Sequence, residues 1–380
     1  MTPTDSVLAL MRPDILALTP YSSARKACPE PSRSESTGGG ACPEPSRRVW
    51  LDANENPKTP SAFLPSEGLA AEGRSQLNRY PEPQPRELVA QLSALYGVAP
   101  AQLLVTRGSD EGIDLLLRTF CRAGQDAIII TPPTYGMYAV AAGIQGARLV
   151  PVPLIREKNF SLDAAAVLAA LTTDTKLVFL CSPNNPTGAL LDRTAVLSLV
   201  RALAGRAVVV VDEAYVDFTE TQSYATLIAA NPNLVVLRTL SKAYGLAGAR
   251  VGTAIADPAL IAVLQKVIAP YPVPAPVAHA ALAALTPAAQ LAARESVRAL
   301  VAERGRLAAA LPKLTAVRHV WPSDANFLLV EVTDSARVMS AARAAGLIIR
   351  DRSMDVPNSV RITIGTPAEN NLVLEVLSHI

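Results

Sequence analysis

Short apolar runs rich in β-branched residues recur from about residue 100, separated by stretches whose apolar positions repeat at helical spacing. The runs Gln102–Thr106, Ala127–Thr131, Arg148–Val152, Lys176–Cys181, Ala207–Val211 and Leu234–Thr239 read as strands. Each is almost continuously apolar, which predicts strands covered on both faces rather than half open to water. Between them, Ile113, Leu116, Leu117 and Phe120 recur at i, i+3, i+4 and i+7, and Ala195 to Leu203 follows the same style, so both segments read as helices. Alternating strand and helix predicts an α/β fold: a mostly parallel central sheet with helices on both faces and right-handed crossovers.

Beyond residue 256 the pattern changes. Asp257 and Pro258 suit an N-cap and first helical position, opening a helix to about Ile268. The stretch APYPVPAPV places prolines at 270, 272, 274 and 276, which predicts a stiff extended linker. A long Ala/Leu/Arg-rich helical region follows, then strand, helix, strand, helix over Asn326–Val332, Ala336–Ala345, Val360–Ile364 and Pro367–Leu377. The expected organisation is an N-terminal arm over 1–55, a large domain over 56–275 and a smaller α+β domain over 276–380.

One segment is out of character. ACPEPSR occupies 27–33 and recurs at 41–47, with SESTGGG between. Proline blocks both helix and ladder and almost nothing here is apolar enough to bury, so the insert of about residues 26–48 is expected to be a mobile loop. A solenoid needs longer units carrying an apolar face. A Cys28–Cys42 redox pair is disfavoured in a reducing cytosol, and a local duplication is the simpler origin.

Composition removes several classes of function. With 35 Lys plus Arg against 33 Asp plus Glu, the net charge of +2 offers no field to attract nucleic acid or an anionic membrane. No apolar run approaches the ~18–20 residues of a membrane span. The start MTPTDSVLALM carries Asp5 and lacks a basic region, so no signal peptide is expected and the chain reads as soluble and cytoplasmic. Cys28, Cys42, Cys121 and Cys181 make no disulfide framework, and His279, His319 and His379 are too scattered for a metal site.

Generic phosphate and nucleophile signatures (GxGxxG, GxxxxGK[ST], GxSxG, HExxH) are absent. Instead, polar residues cluster at the C-terminal ends of successive strands, where open α/β sheets bind ligands. Val105 to Glu111 reads as a strand end, a glycine turn and a helix start, a candidate anion site whose Asp110 and Glu111 are equally ordinary first-turn acids. Ser182-Pro183-Asn184-Asn185-Pro186-Thr187-Gly188 follows a strand and, alone, reads as a turn. Val211-Asp212-Glu213-Ala214-Tyr215 delivers a carboxylate to the end of a central strand, which is costly unless a cation faces it. Arg238 to Gly245 ends a strand in Ser241 and Lys242, with Arg250 eight positions on; alone, Lys242 reads as a solvated lysine.

Taken as an ordered set, SPNNPTG, DEAY and SK…R resemble the signature segments of fold type I pyridoxal-phosphate enzymes, the aspartate aminotransferase superfamily. The resemblance implies a pyridoxal 5′-phosphate cofactor bound covalently by Lys242, whose freed amine then carries the proton between the substrate's α-carbon and the cofactor's C4′. It implies Asp212 facing the pyridine nitrogen, Asn185 and Tyr215 hydrogen-bonding the ring's phenolic oxygen, and Tyr135 stacking on the ring. Ser241, Arg250 and the backbone at Ser109 and Asp110 are implied to hold the phosphate.

TPYSSAR at 19–25, Leu51 to Pro57, NRYP at 78–81, RGSDEG at 107–112, IIRD at 348–351 and VRITIG at 360–365 are similar to the histidinol-phosphate aminotransferase family over about residues 15–375, the insert excepted. That likeness implies a homodimer with shared sites, Tyr80 reaching the neighbour's cofactor phosphate, and Arg361 gripping an anionic substrate group. It also places Tyr21 and Asn54 near substrate. Arg350 and Arg361, expected on neighbouring strands, suit one phosphate dianion with Tyr21 adding a hydroxyl; the plainer reading pairs Arg350 with Asp351. The implied reaction joins L-histidinol phosphate and 2-oxoglutarate. Alternatives on the same scaffold are a threonine-phosphate decarboxylase and an aromatic or broad-range aminotransferase; a transcription regulator needs a DNA-binding module that the first 50 residues lack.

Overall fold

The computed structural model describes residues 2–18 and 77–380. The repeat insert, Cys28, Cys42, Tyr21 and Asn54 lie outside the described residues. Chain order begins with two short helices, α1 (Pro3–Leu8) and α2 (Pro13–Leu16), followed by α3 (Arg86–Tyr96). Then come β1 (Leu103–Thr106), α4 (Gly108–Phe120), β2 (Ala127–Ile130), α5 (Met137–Gln145), β3 (Arg148–Pro151), α6 (Ala164–Ala169), β4 (Thr175–Cys181), α7 (Arg193–Ala202), β5 (Val208–Asp212), β6 (Leu234–Thr239), β7 (Gly252–Ile255) and α8 (Pro258–Val267). The strands form one sheet in the order β1-β7-β6-β5-β4-β2-β3.

Strand alternation divides the apolar side chains between two cores. Val209, Val211, Val178 and Leu180 enter one core, whereas Val208, Val210, Leu177 and Phe179 enter the other. Both faces of the sheet's centre are therefore dry, as the continuous apolar runs lead one to expect. Arg148–Val152 differs: β3 is the sheet edge, and three of its four residues are exposed. Its apolar run is a partly wet edge strand rather than one covered on both faces.

A seventh strand, β7, is absent from the sequence-based set. Its Gly-Thr-Ala-Ile is short and opens with a poor strand former. It runs antiparallel to both β1 and β6, with Gly252 opposite Thr106 on one side and Thr239 on the other. Two reversals restore direction, so β1 points the same way as β6, β5, β4 and β2. The C-terminal ends of these five strands consequently share one edge of the sheet.

The remaining elements are α9 (Ala275–Ala284), α10 (Pro287–Ala310), β8 (Val317–Val320), β9 (Phe327–Val332), α11 (Ser335–Ala344), β10 (Arg350–Asp351), β11 (Ser359–Thr363) and α12 (Pro367–Ser378). The four strands form a second, antiparallel sheet ordered β10-β11-β9-β8. Here β8 and β10 are additional to the sequence-based set; both are short and half exposed or more. The proline-rich stretch is not the continuous extended linker its prolines lead one to expect: it bends at Pro270, Tyr271 and Val273, with Tyr271 at φ 56, before Pro274, the N-cap of α9, and Pro276 lies in that helix's first turn, where a missing N–H costs nothing. Buried Ala278 and Ala281 of α9 join the core of the first sheet. Asp257 caps α8 through Ala259 N–H, with Pro258 at the first turn, as its sequence indicates. Residues 2–18 are strapped to α8: Lys266 Nζ donates to the Leu16 carbonyl at 2.8 Å, and Val7 and Met11 are buried. Among the described residues no helix is long and apolar enough to cross a membrane.

Phe179 is fully buried at the sheet centre, whereas Leu149 on β3 is 37% exposed. Phe179→Ala should therefore cost ~3–5 kcal/mol of unfolding free energy and Leu149→Ala no more than about 1 kcal/mol, read from urea transitions. Comparable losses at the two positions would contradict the assignment of β3 as a wet edge.

Candidate active site

The shared strand edge gathers the candidate side chains into one cavity of about 490 Å³. Its lining includes Ser109, Asp110, Tyr135, Asn185, Asp212, Tyr215, Ser241, Lys242, Arg250, Arg350 and Arg361. Eleven of the fourteen residues singled out from sequence thus come together. Tyr21 and Asn54 are outside the described residues, and Tyr80 does not line the cavity of its own chain. Tyr80 is half exposed and stacks on Tyr271 with ring centroids 4.8 Å apart.

At one end the cavity is built for an anion. Helix α4 begins at Gly108, directly after β1, so the free N–H groups of its first turn and the positive end of its dipole face the cavity. Backbone approach here is close. A Cβ added at Gly252 would sit 2.4 Å from Gly108 C and 2.5 Å from Ser109 N, and one at Gly108 would sit 2.6 Å from Arg250 Nη2. Only glycines let β7, the α4 start and the arginine meet. Arg250, at φ 57, ends a 3-10 turn at Ala247–Ala249. Its guanidinium pairs with Asp110 Oδ2 at 3.0 Å, while Tyr135 donates to Asp110 Oδ1 at 2.9 Å. Asp110 is therefore held by two partners of its own. Glu111, the other first-turn acid, is turned back onto Arg107 at 2.6 Å. On the opposite flank Thr239 Oγ1 donates to Ser241 Oγ at 2.8 Å, fixing that hydroxyl at the end of β6.

The sheet centre supplies the carboxylate. Asp212 ends β5 and is 2% exposed. Burial pushes its carboxyl up to about 6, opposed by a hydrogen bond from Tyr138 Oη at 2.8 Å and another from Ala214 N–H at 3.1 Å. Tyr138 escaped the sequence reading. The available signal was its place three residues after Tyr135, which on the first turn of α5 sends it toward the sheet; it stacks on Phe179 at 4.8 Å.

Lys242 is open to the cavity by surface area, yet protein crowds its amine from several sides. Burial first, and the Arg361 charge second, hold its pKa below the usual lysine value. Among the described residues the amine makes no ion pair, and it sits 5.7 Å from the Tyr215 ring centroid. Asn185 Nδ2 donates to Tyr215 Oη at 3.5 Å, and its Oδ1 accepts from Arg361 Nη1 at 2.6 Å. Neighbouring Asn184 bonds Thr134 and Thr187, which locks the turn that presents Asn185.

The second sheet closes the cavity. Arg350 pairs across the ladder with Arg361, so both side chains leave the same face, and Arg350 makes no ion pair with Asp351. Asp351 instead accepts from Ser353 N–H at 2.8 Å. Burial and the neighbouring arginines hold the Arg361 pKa below its usual value. The arrangement thus offers an anion cradle, a reactive amine, a buried carboxylate suited to a protonated ring nitrogen, two donors at Asn185 and Tyr215, and a second anion grip. A flat phosphorylated pyridine aldehyde matches the first four.

Comparison with known proteins agrees with this chemistry. The family model for aminotransferase class I and II matches residues 46–377. A histidinol-phosphate aminotransferase of Stenotrophomonas maltophilia is 47% identical over 378 residues, covering 98% of this chain and 97% of that protein. Among solved structures, a histidinol-phosphate aminotransferase from Sinorhizobium meliloti in complex with pyridoxal-5′-phosphate superposes with TM-score 0.73 at 26% identity, covering 86% of this chain and 89% of that one. An L-threonine-O-3-phosphate decarboxylase from Porphyromonas gingivalis superposes with TM-score 0.68 at 26% identity, covering 80% and 90%.

Asp212 gives a pH signature in the ligand-free protein. Its carboxyl titrates near 6 when folded against 3.8 as the ordinary value, so the folded state holds the extra proton between these limits. The associated stability is fully present below about pH 4 and lost as pH rises through about 6. The stability of the wild type relative to Asp212→Asn should therefore fall by ~3 kcal/mol from pH 4 to 7. Tyr138→Phe should extend the falling region to higher pH; a flat difference over the whole range would exclude the buried titration.

Proposed function

The chain belongs to the class I and II aminotransferase family, and from that premise we propose that it transfers an amino group from L-histidinol phosphate to 2-oxoglutarate, giving imidazole-acetol phosphate and glutamate in histidine biosynthesis. It is a pyridoxal 5′-phosphate-dependent transaminase. The observation that carries the substrate is Arg350 lying opposite Arg361 on β10 and β11, both lining the cavity. Two guanidiniums on one face reward a phosphate dianion more than a single carboxylate. Glutamate and 2-oxoglutarate use the same arginines for their distal carboxylate in the other half of the cycle.

When bound, pyridoxal 5′-phosphate supplies a carbonyl that captures the substrate's amine and a ring that takes up the electron pair left by the departing α-proton. The N–H groups at Ser109 and Asp110, the Ser241 hydroxyl and Arg250 hold its phosphate. Asp212, kept in place by Tyr138, would face its pyridine nitrogen and favour the protonated form. Asn185 and Tyr215 would donate to its phenolic oxygen, and Tyr135 would stack on its ring. Lys242 would anchor the cofactor covalently and, once the substrate's amine displaces it, its freed amine would be the base that takes up the substrate's α-proton and the acid that returns it. Tyr21 and Asn54 contact the substrate. Half-exposed Tyr80, which does not line its own chain's cavity, would reach the cofactor phosphate across a homodimer interface, and the enzyme is cytoplasmic.

The fold by itself does not separate this reaction from decarboxylation of threonine phosphate, since both kinds of neighbour superpose well. Full-length identity of 44–47% to histidinol-phosphate aminotransferases favours transamination. The deciding experiment incubates the holoenzyme with histidinol phosphate and 2-oxoglutarate and measures glutamate; carbon dioxide from threonine phosphate without keto-acid consumption would replace this reading by the lyase. Lys242→Ala should abolish turnover and leave no cofactor attached after borohydride reduction; a retained covalent label would move the anchor elsewhere. Arg350→Ala should raise KM for histidinol phosphate about tenfold or more while changing that for unphosphorylated histidinol far less, and equal losses on both would remove Arg350 from phosphate recognition.

A further inference from the structure

A third guanidinium stands at the cavity wall beside the two already assigned. Arg352 follows Arg350 by two positions and continues the ladder, its N–H donating to the Ser359 carbonyl at 2.9 Å. Two residues along a strand return to the same face, and Arg352 lines the cavity together with Arg350 and Arg361. Its backbone is pinned from the other side as well, since its carbonyl accepts from the N–H groups of Asp355 and Val356, each at 2.9 Å. The side chain is only 16% exposed. Its Nε lies 3.0 Å from Asp355 Oδ2, yet that nitrogen makes no hydrogen bond among the described residues, so the contact is an ion pair of poor directionality.

Charge is distributed unevenly along the cavity. The acids in its lining are Asp110 and Asp212, both on the first sheet's side, and Asp110 is paired with Arg250. Arg350, Arg352 and Arg361 line the opposite side, where the lining holds no acid. Burial first, and then the charges of Arg352 and Arg350, hold the Arg361 pKa below its usual value, so all three guanidiniums act on one another. Coulomb attraction scales with ligand charge, so each added cation widens the gap between a dianion and a monoanion.

We propose that Arg352 is a specificity-determining residue, a third cation that favours a phosphate dianion over a carboxylate at this end of the substrate and that rests on Asp355 until the anion arrives. The inference depends on the phosphorylated-substrate reading above. It is tested by steady-state kinetics of the holoenzyme with histidinol phosphate and, in the reverse direction, glutamate, together with titration of the cofactor's visible absorbance by histidinol phosphate. Arg352→Gln should raise KM and the spectroscopic Kd for histidinol phosphate about tenfold, with KM for glutamate rising less than about threefold and kcat within about twofold. Arg352→Lys should recover part of the loss, because the charge survives without the planar fork. Asp355→Asn, which frees the guanidinium, should leave KM for histidinol phosphate equal or lower. Equal rises for both substrates, an unchanged KM in Arg352→Gln, or a rise in Asp355→Asn matching that in Arg352→Gln would each overturn the proposal, the last by making the pair a mere structural staple. Wild-type enzyme that does not turn over histidinol phosphate would overturn the substrate reading first; wild-type turnover with any of the three results above would remove Arg352 alone.

Discussion

A carboxylate buried at the end of the central strand is the constraint around which the molecule is arranged. Five apolar residues in succession carry Asp212 to the C-terminal end of β5, where neighbouring strands and α5 exclude water. An ionised acid there is costly without a compensating cation, and two hydrogen bonds offset only part of that cost. A cation facing the carboxylate would supply the missing compensation, and under the proposed function the protonated ring nitrogen of pyridoxal 5′-phosphate would be that cation. The burial that raises the Asp212 pKa would also strengthen such a pairing, because attraction grows as the local dielectric falls.

Holding the cofactor's other end requires strands to finish together, and β7 makes that possible. By running antiparallel between β1 and β6 it returns β1 to the common direction, so the α4 N-terminus opens beside Ser241 and Lys242. The close contacts at Gly108 and Gly252 show how little space remains between these backbones. Arg250 then crosses the gap from the loop before β7, and its pairing with Asp110 keeps the guanidinium extended over the cradle.

The two sheets divide the labour. The first brings an amine, an acid, two ring or amide donors and a helix N-terminus to the cavity. The second brings arginines on β10 and β11, tied back by the Arg361 to Asn185 hydrogen bond, and under the proposed function these would select the substrate. One asparagine thereby touches both Tyr215 on the first sheet's side and Arg361 on the second, so the two sides of the cavity are coupled through a single side chain.

Much of this was legible in the chain itself. The runs of β4, β5 and β6 are so continuously apolar that their limits fall within a residue of the expected ones, and the polar residues that terminate them announce the site edge. Asn185, Asp212, Lys242 and Arg250 stand in segments whose resemblance to a known family implies the cofactor; read one at a time, those segments suggest only a turn, a carboxylate at a strand end and a solvated lysine. What sequence left open depends on neighbours distant in the chain. Leu149 on β3 is as apolar as a core residue, and only its edge position decides that water reaches it. The four residues of β7 are too few and too small to signal a strand, and pairing on both sides makes them one. Tyr138 and Arg352 join the site only when folding sets a phenol 2.8 Å from Asp212 and a third guanidinium in the wall that Arg350 and Arg361 line. Local pattern determines which segments must leave water, whereas the partner each polar group finds there is a property of the assembled fold, since hydrogen bonds and charges act over distances that the linear order does not encode.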